Sequence, residues 1–173
     1  MAKYVELRRH TDADGDVLTP AGVRAAVEIG TRLQGGYEVL VSSGAQRATQ
    51  TLACFLAGLG EKVPQGVVVE PALRSAAEDR WRAAYEKAGS GALEALREAD
   101  PELVEEDSAA LAAPLRRILD ALPEGGRALV VGHSPTNEAA VLGLTGEIVK
   151  PISKGDGVLV VEEDGAVRVE TLG

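Results

Sequence analysis

Ala128-Leu129-Val130-Val131-Gly132-His133-Ser134-Pro135-Thr136 runs from a short, wholly apolar strand through a glycine into residues suited to opening a helix. Consecutive apolar residues without polar alternation describe a strand buried on both faces, as in a parallel sheet covered by helices. Ser134-Pro135 suits the start of a helix reaching about Leu144. The same pattern recurs upstream. Tyr4 to Leu7 reads as a strand ending just before His10, Thr19 suits an N-cap with Pro20 at the first helical position, and Val23, Ala26, Val27, Gly30 and Leu33 follow at helical spacing. After Gly35-Gly36, Glu38 to Val41 predicts a second strand, and Ala45, Ala48, Leu52, Phe55, Leu56 and Leu59 place an apolar stripe on a second helix.

Val67 to Val69 predicts a third strand, and from about 76 to 122 the chain becomes rich in Ala, Glu and Arg, with Gly89, Gly91, Pro101 and Pro114 as interruptions. That stretch reads as a helical excursion. Val158 to Val161 and Ala166 to Val169, joined by Glu163-Asp164-Gly165, read as a hairpin, because Asp-Gly suits a tight turn. The expected fold is α/β: a three-layer α/β/α sandwich whose sheet is mainly parallel with an antiparallel edge near the end. At 173 residues and 45% hydrophobic content the chain is read as one domain, 1–173.

A net charge of -9 argues against nucleic acid and against a polybasic membrane patch as partners, since both need clustered Lys and Arg. An anionic ligand would therefore need a local cationic site. The single cysteine, Cys54, cannot close an intrachain disulfide, the start MAKYVELRRH is too charged for a signal-peptide core, and no apolar run reaches membrane-spanning length. A cytoplasmic protein is expected.

Ligands in such folds bind beyond the carboxyl ends of the strands. The two histidines, His10 and His133, both fall there, each directly after a strand. Either alone reads equally well as a surface or satisfied core histidine. Arg8 and Arg9 precede His10, and Arg47 opens the second helix, whose amides point at the same edge. Two arginines and helix-end amides suit a phosphoryl group, each charge-assisted hydrogen bond contributing about 1.5–3 kcal/mol. Strand alternation sends Arg8 to the side opposite Arg9.

These residues resemble the histidine phosphatase superfamily, the phosphoglycerate mutase-like proteins. Leu7-Arg8-Arg9-His10-Thr11 is similar to the Arg-His-Gly signature, with Thr11 where glycine is usual; Ser43 to Thr51 resembles Ser-x-x-x-Arg-Ala-x-Gln-Thr; and Val130 to Pro135 resembles a strand ending in Gly-His-x-Pro. The resemblance implies a nucleophilic His10 that forms a covalent phosphohistidine, phosphate ligands Arg9 and Arg47, and a further phosphate contact from His133. Thr11 and Ser134 are expected to add hydroxyl donors to the substrate site, and the excursion at 76–122 to lie over it. No metal and no cofactor are expected.

The proton donor is the departure. Pro71-Ala72-Leu73-Arg74-Ser75 aligns with a Pro-x-Leu-x-Glu pattern and puts Ser75 in the place of the acid. Glu78 or Asp79 could substitute, or be ordinary first-turn helix carboxylates. The small bacterial phosphohistidine phosphatases (SixA-like) also lack this glutamate, and the Gly-His-Ser-Pro block resembles theirs. The implied substrate is a phosphohistidine protein or a small phosphomonoester.

Competing readings are weaker. Gly132-His133-Ser134-Pro135-Thr136 approaches the Gly-x-Ser-x-Gly elbow of serine hydrolases, yet no histidine follows His133 to complete a triad. Cys54 lacks the arginine six residues on that a cysteine phosphatase requires, and two distant histidines make a poor metal set despite Asp12, Asp14 and Asp16. That acidic loop reads as solvated, or as a lip for a cationic substrate group. Mutase activity would need closure against water, for which the chain has little beyond the excursion. A phospho-ligand binding module without turnover is the strongest rival.

Overall fold

A computed structural model describes residues 1–172. In chain order it forms β1 (Lys3–Arg9), β2 (Ala13–Asp14), β3 (Val17–Leu18), α1 (Pro20–Arg32), β4 (Val39–Ser42), α2 (Gln46–Leu59) and β5 (Val67–Val69). There follow α3 (Glu78–Ala88), α4 (Leu93–Ala99), α5 (Pro101–Ala121), β6 (Arg127–Gly132), α6 (Thr136–Thr145), β7 (Gly157–Glu163) and β8 (Ala166–Thr171).

Six strands make one sheet in the order β5-β4-β6-β1-β7-β8. The contacts β5–β4, β4–β6 and β6–β1 are parallel, while β7 reverses against β1 and β8 reverses against β7. The expected antiparallel edge is this last hairpin. Its turn holds Asp164 at φ 53° and Gly165 at φ 79°, the two left-handed residues a tight hairpin turn demands.

Because side chains alternate across a strand, β6 serves two cores. Leu129 and Val131 join Leu40 of β4 under α1 and α2, around the fully buried Phe55. Ala128 and Val130 join Val5, Leu7, Val39 and Val41 on the other face, covered by Leu111, Leu115 and Leu119 of α5 and by α6. Helices therefore cover both faces, as the apolar strands required.

The stretch read as an excursion divides in two. α3 stands at the carboxyl edge of the sheet, whereas α5 is a core helix with Leu103, Val104, Leu111, Leu115 and Leu119 buried. Gly89 ends α3 in the left-handed conformation and Pro101 begins α5, as punctuation predicts. Pro114 does not interrupt. It lies buried inside α5, where burial of Leu111, Ala112 and Leu115 around it outweighs the lost backbone donor. Among the start signals, Thr19 caps α1 by accepting from the Gly22 amide at 3.0 Å. Ser134-Pro135 behaves differently from the expectation: Pro135 occupies the N-cap of α6 and no side chain caps that helix.

The α1–α2 pair depends on small residues. A Cβ on Gly58 would sit 2.1 Å from the Val27 carbonyl oxygen, and one on Gly30 2.4 Å from that of Phe55. The two backbones are thus in contact. Gly58→Ala gains about 1 kcal/mol of helix propensity but must spread this contact, and overpacking costs about 1–3 kcal/mol. A net loss of stability is expected, seen as a lower midpoint in urea titration with an unchanged slope.

Candidate active site

The parallel ladder between β1 and β6 sets Arg9 opposite Gly132, and the His10 amide donates to the Gly132 carbonyl at 3.1 Å. The residue after each strand is therefore a neighbour of the other. His10 and His133 lie side by side, ring centroids 5.5 Å apart, exposed by only 8% and 9%.

The His10 ring has a defined tautomer. Its Nδ1 is 2.7 Å from the Thr11 carbonyl oxygen, which can only accept, so Nδ1 carries the proton and Nε2 keeps its lone pair. Burial lowers the His10 pKa, the Thr11 hydrogen bond works against that, and the charges of Arg47, Arg9 and Lys154 lower it further. The ring is neutral at pH 7. His133 is lowered more, to about 3, by burial first and then by Arg47, His10 and Arg74. Its Nε2 shares a hydrogen bond with Ser43 Oγ at 2.8 Å, and its Nδ1 is buried without a partner among the described residues.

Arg9 donates from Nη1 to the Ile152 carbonyl at 3.0 Å, while its buried Nε has no partner among the described residues. The fold thus leaves polar capacity at this edge unused. Arg8 turns to the other side of the sheet, bonded to Glu6 Oε2 at 2.6 Å and to the Gly155 carbonyl at 2.8 Å. Arg47 is held by Asp16: Nη1 donates to Oδ1 at 2.8 Å, and the amides of Arg47 and Gln46 donate to the same carboxylate at 3.2 Å. These bonds at the start of α2, the Arg47 amide foremost, keep the Asp16 carboxyl below its ordinary range.

The acidic loop is solvent-exposed, as expected, and two of its three carboxylates are also paired. Asp16 caps α2, and Asp12 accepts from Lys154 Nζ at 2.7 Å. Lys154, whose charge reaches His10, escaped the sequence reading because its loop carries no periodicity or motif.

Several expected donors point elsewhere. Thr11, 2% exposed, donates its hydroxyl to the Gly22 carbonyl at 2.9 Å and accepts no ligand-facing role: its amide is bonded to Thr51 Oγ1 at 3.2 Å. The hydroxyl that replaces the usual glycine thus ties β1 to α1. Ser134 lines the site, but its hydroxyl donates to the Glu138 carboxylate, which also accepts from the Ile152 amide at 3.3 Å. Glu138 is 1% exposed and burial raises its pKa. A glutamate directly before the apolar stretch Ala139-Ala140-Val141 was the signal for it.

A cavity of about 340 Å³ opens beside His133, walled by Arg47, Ser134, Pro135 and, from the α3 side, Arg74, Ser75, Glu78, Trp81, Arg82 and Tyr85. Glu78 faces this cavity and accepts from Arg74 Nε and Nη2 at 3.2 and 3.1 Å. Asp79 does not; its side chain is 98% exposed. Ser75 donates to Asp107 Oδ2 at 2.6 Å, an oxygen that also accepts from Trp81 Nε1 at 2.5 Å. Asp107 fixes the wall from α5 and was not anticipated.

The profile of the histidine phosphatase superfamily (branch 1) matches residues 3–154, and the chain belongs to that family. No curated protein sequence is significantly similar. Among solved structures, phosphoglycerate mutase from Bacillus anthracis superposes with a TM-score of 0.75 at 22% identity, over 99% of this chain and 92% of that one. An Entamoeba histolytica phosphoserine phosphatase mutant in complex with phosphoserine gives 0.70 at 15% identity, over 98% and 95%. A putative phosphohistidine phosphatase SixA from Agrobacterium tumefaciens gives 0.56 at 20%, over 98% and 97%. At these identities the likeness is one of fold, and it runs the length of each chain.

Both histidines have folded-state pKa values below the ordinary 6.5. As pH falls the unfolded chain therefore binds protons first, so stability is full above about 6.5 and is lost toward about 3 for His133, at up to about 1.4 kcal/mol per pH unit. Glu138, shifted upward, opposes this. His133→Gln is expected to flatten the fall in urea-unfolding free energy between pH 6.5 and 5, leaving the Glu138 contribution in place.

Proposed function

We propose that this protein is a cytoplasmic, metal-independent phosphatase that works through a covalent phosphohistidine on His10. The observation that supports this best is a neutral His10 with Nε2 unprotonated, beside a second neutral histidine and within reach of the charges of Arg9, Arg47 and Lys154. An imidazole so held is a nucleophile, and cations around it suit the equatorial oxygens of a phosphoryl group in flight.

In this reading the His10 Nε2 lone pair attacks phosphorus as the bond to the leaving group breaks, P–O in a phosphomonoester and P–N in a phosphohistidine. The imidazolium that forms is stabilised by the Nδ1–H bond to the Thr11 carbonyl. Arg9 and Arg47 take the phosphoryl oxygens, Arg47 exchanging Asp16 for the substrate, and His133 adds a further contact. Water then attacks phosphorus, the P–N bond breaks, and the electron pair returns to Nε2, releasing inorganic phosphate.

An alkoxide leaving group needs a proton, and in this reading Glu78, the carboxyl group among the cavity's lining residues, supplies it once Arg74 lets go. Phosphohistidine needs this less, since imidazolium has a pKa of about 6.5. A phosphohistidine protein and a small phosphomonoester are both consistent with the site. Ser75 in the acid's place and Glu78 tied to Arg74 favour one alternative, a phospho-ligand binding module without turnover.

Hydrolysis of p-nitrophenyl phosphate in the presence of EDTA separates the two. We expect turnover that survives chelation and falls by more than about a thousandfold in His10→Ala, with an acid-labile phosphoenzyme trapped in the wild type. Phosphate binding with no turnover of any ester or of phosphoramidate would establish the module instead. Glu78→Gln should lower kcat on alkyl phosphates by about 10- to 100-fold while leaving phosphoramidate much less affected.

A further inference from the structure

Glu138 is a buried ionisable group that takes no part in the chemistry proposed above. It stands in the first turn of α6, where a carboxylate favours the helix N-terminus, but that benefit needs no burial and Glu138 is only 1% exposed. A carboxyl group taken out of water costs stability unless its oxygens are paired. Burial raises its pKa, while hydrogen bonds from Ser134 and from backbone amides, and the charge of Arg9, act against that. The helix has a tie to the sheet without it, since Asn137 Nδ2 donates to the Arg8 carbonyl of β1 at 3.1 Å.

What Glu138 holds leads to Arg9. Its Oε2 accepts from the Ser134 hydroxyl, one residue past His133, and from the Ile152 amide at 3.3 Å. The carbonyl of the same Ile152 accepts from Arg9 Nη1 at 3.0 Å. Ile152 lies between α6 and β7, outside any helix or strand, and its main chain is clamped by a carboxylate on one side and a guanidinium on the other. Arg9 Nε and Glu138 Oε1 are each buried without a partner among the described residues, so the two side chains are joined through Ile152 rather than by a direct bond. A guanidinium is planar with its donors in fixed directions, so the bond at Nη1 sets where the remaining donors of Arg9 point. Resting on the phosphatase reading, we propose that Glu138 is a positioning residue: its carboxylate, oriented by Ser134, fixes Ile152 and thereby the direction in which Arg9 presents its guanidinium to the phosphoryl oxygens. Displacing an oriented group by about 1 Å can cost about a hundredfold in rate, which gives a buried acceptor at this distance from the reaction a kinetic effect.

The test separates an acceptor from a space-filler. Glu138→Met keeps the volume and removes the acceptor, whereas Glu138→Gln keeps both and removes the charge. With p-nitrophenyl phosphate as substrate and inorganic phosphate as competitive inhibitor, Glu138→Met should lower kcat/KM by about 10- to 100-fold and weaken phosphate inhibition by about tenfold, under conditions where urea titration shows it folded. Glu138→Gln should stay within about threefold of the wild type in both. Because Glu138 acts through Arg9, Glu138→Met should add less than about threefold to the loss already caused by Arg9→Ala. If Glu138→Met does not fold, Glu138→Asp, which withdraws the same oxygens by one methylene, takes its place with the same expectation. Wild-type kinetics in the folded variant would overturn the proposal, and so would an equal loss in Glu138→Gln or a full additional loss on the Arg9→Ala background. If the wild type does not hydrolyse p-nitrophenyl phosphate or phosphoramidate, the phosphatase reading fails by itself. Calorimetric Kd values for inorganic phosphate in the same variants, with the same order expected, then decide the role of Glu138 alone.

Discussion

The backbone hydrogen bond from His10 to Gly132 is the constraint on which the candidate site depends. It is the last rung of the parallel ladder between β1 and β6, and it fixes the two histidines against each other by sheet geometry rather than by loop conformation. Everything that shapes their chemistry follows from that placement. At the carboxyl edge of buried strands the rings are themselves buried, burial keeps both neutral, and the start of α2 brings Arg47 to the same edge. Moving either ring by one residue along its strand would turn it to the opposite face of the sheet.

Charge is organised in layers around this pair. The cations nearest the rings are each held from behind: Arg9 by the Ile152 carbonyl, Arg47 by Asp16, Lys154 by Asp12. Ile152 is in turn fixed through its amide by the buried Glu138, which also takes the Ser134 hydroxyl next to His133. An excess of carboxylates in the whole chain is therefore compatible with a locally cationic edge, because part of that excess is the scaffold that orients the cations. Buried Glu138 makes such an arrangement sensitive to substitution, since removing one member leaves its partners unsatisfied.

The fold was largely legible in the sequence, and the reason is local. Apolar runs ended by Gly or Pro, Thr19-Pro20 at a helix start, and Asp164-Gly165 at a hairpin are each readable within a few residues. Pro114 was misleading because its tolerance depends on tertiary burial, which a local signal does not carry. At the site, His10, His133, Arg9 and Arg47 were visible from their position after strands or at a helix start, and alternation correctly separated Arg9 from Arg8. The contacts of Thr11 with Gly22, Ser75 with Asp107, Asp16 with Arg47 and Lys154 with Asp12 join residues 11 to 142 positions apart. None leaves a periodic or compositional trace, so the direction of the Thr11 and Ser134 hydroxyls emerged only in three dimensions.

Asp16 already occupies the Arg47 guanidinium and two amides at the start of α2. An incoming anion at this place exchanges one set of bonds for another instead of gaining a full new set, so its affinity is a difference between two similar pairings. In the proposed function the carboxylate would be a resident competitor. It would lower the grip on any oxyanion that binds there, a leaving product as much as an arriving reactant, and would re-form its own bonds when that anion departs. If the proposed function holds, an anion site built without such a competitor would hold its last guest longer than this one.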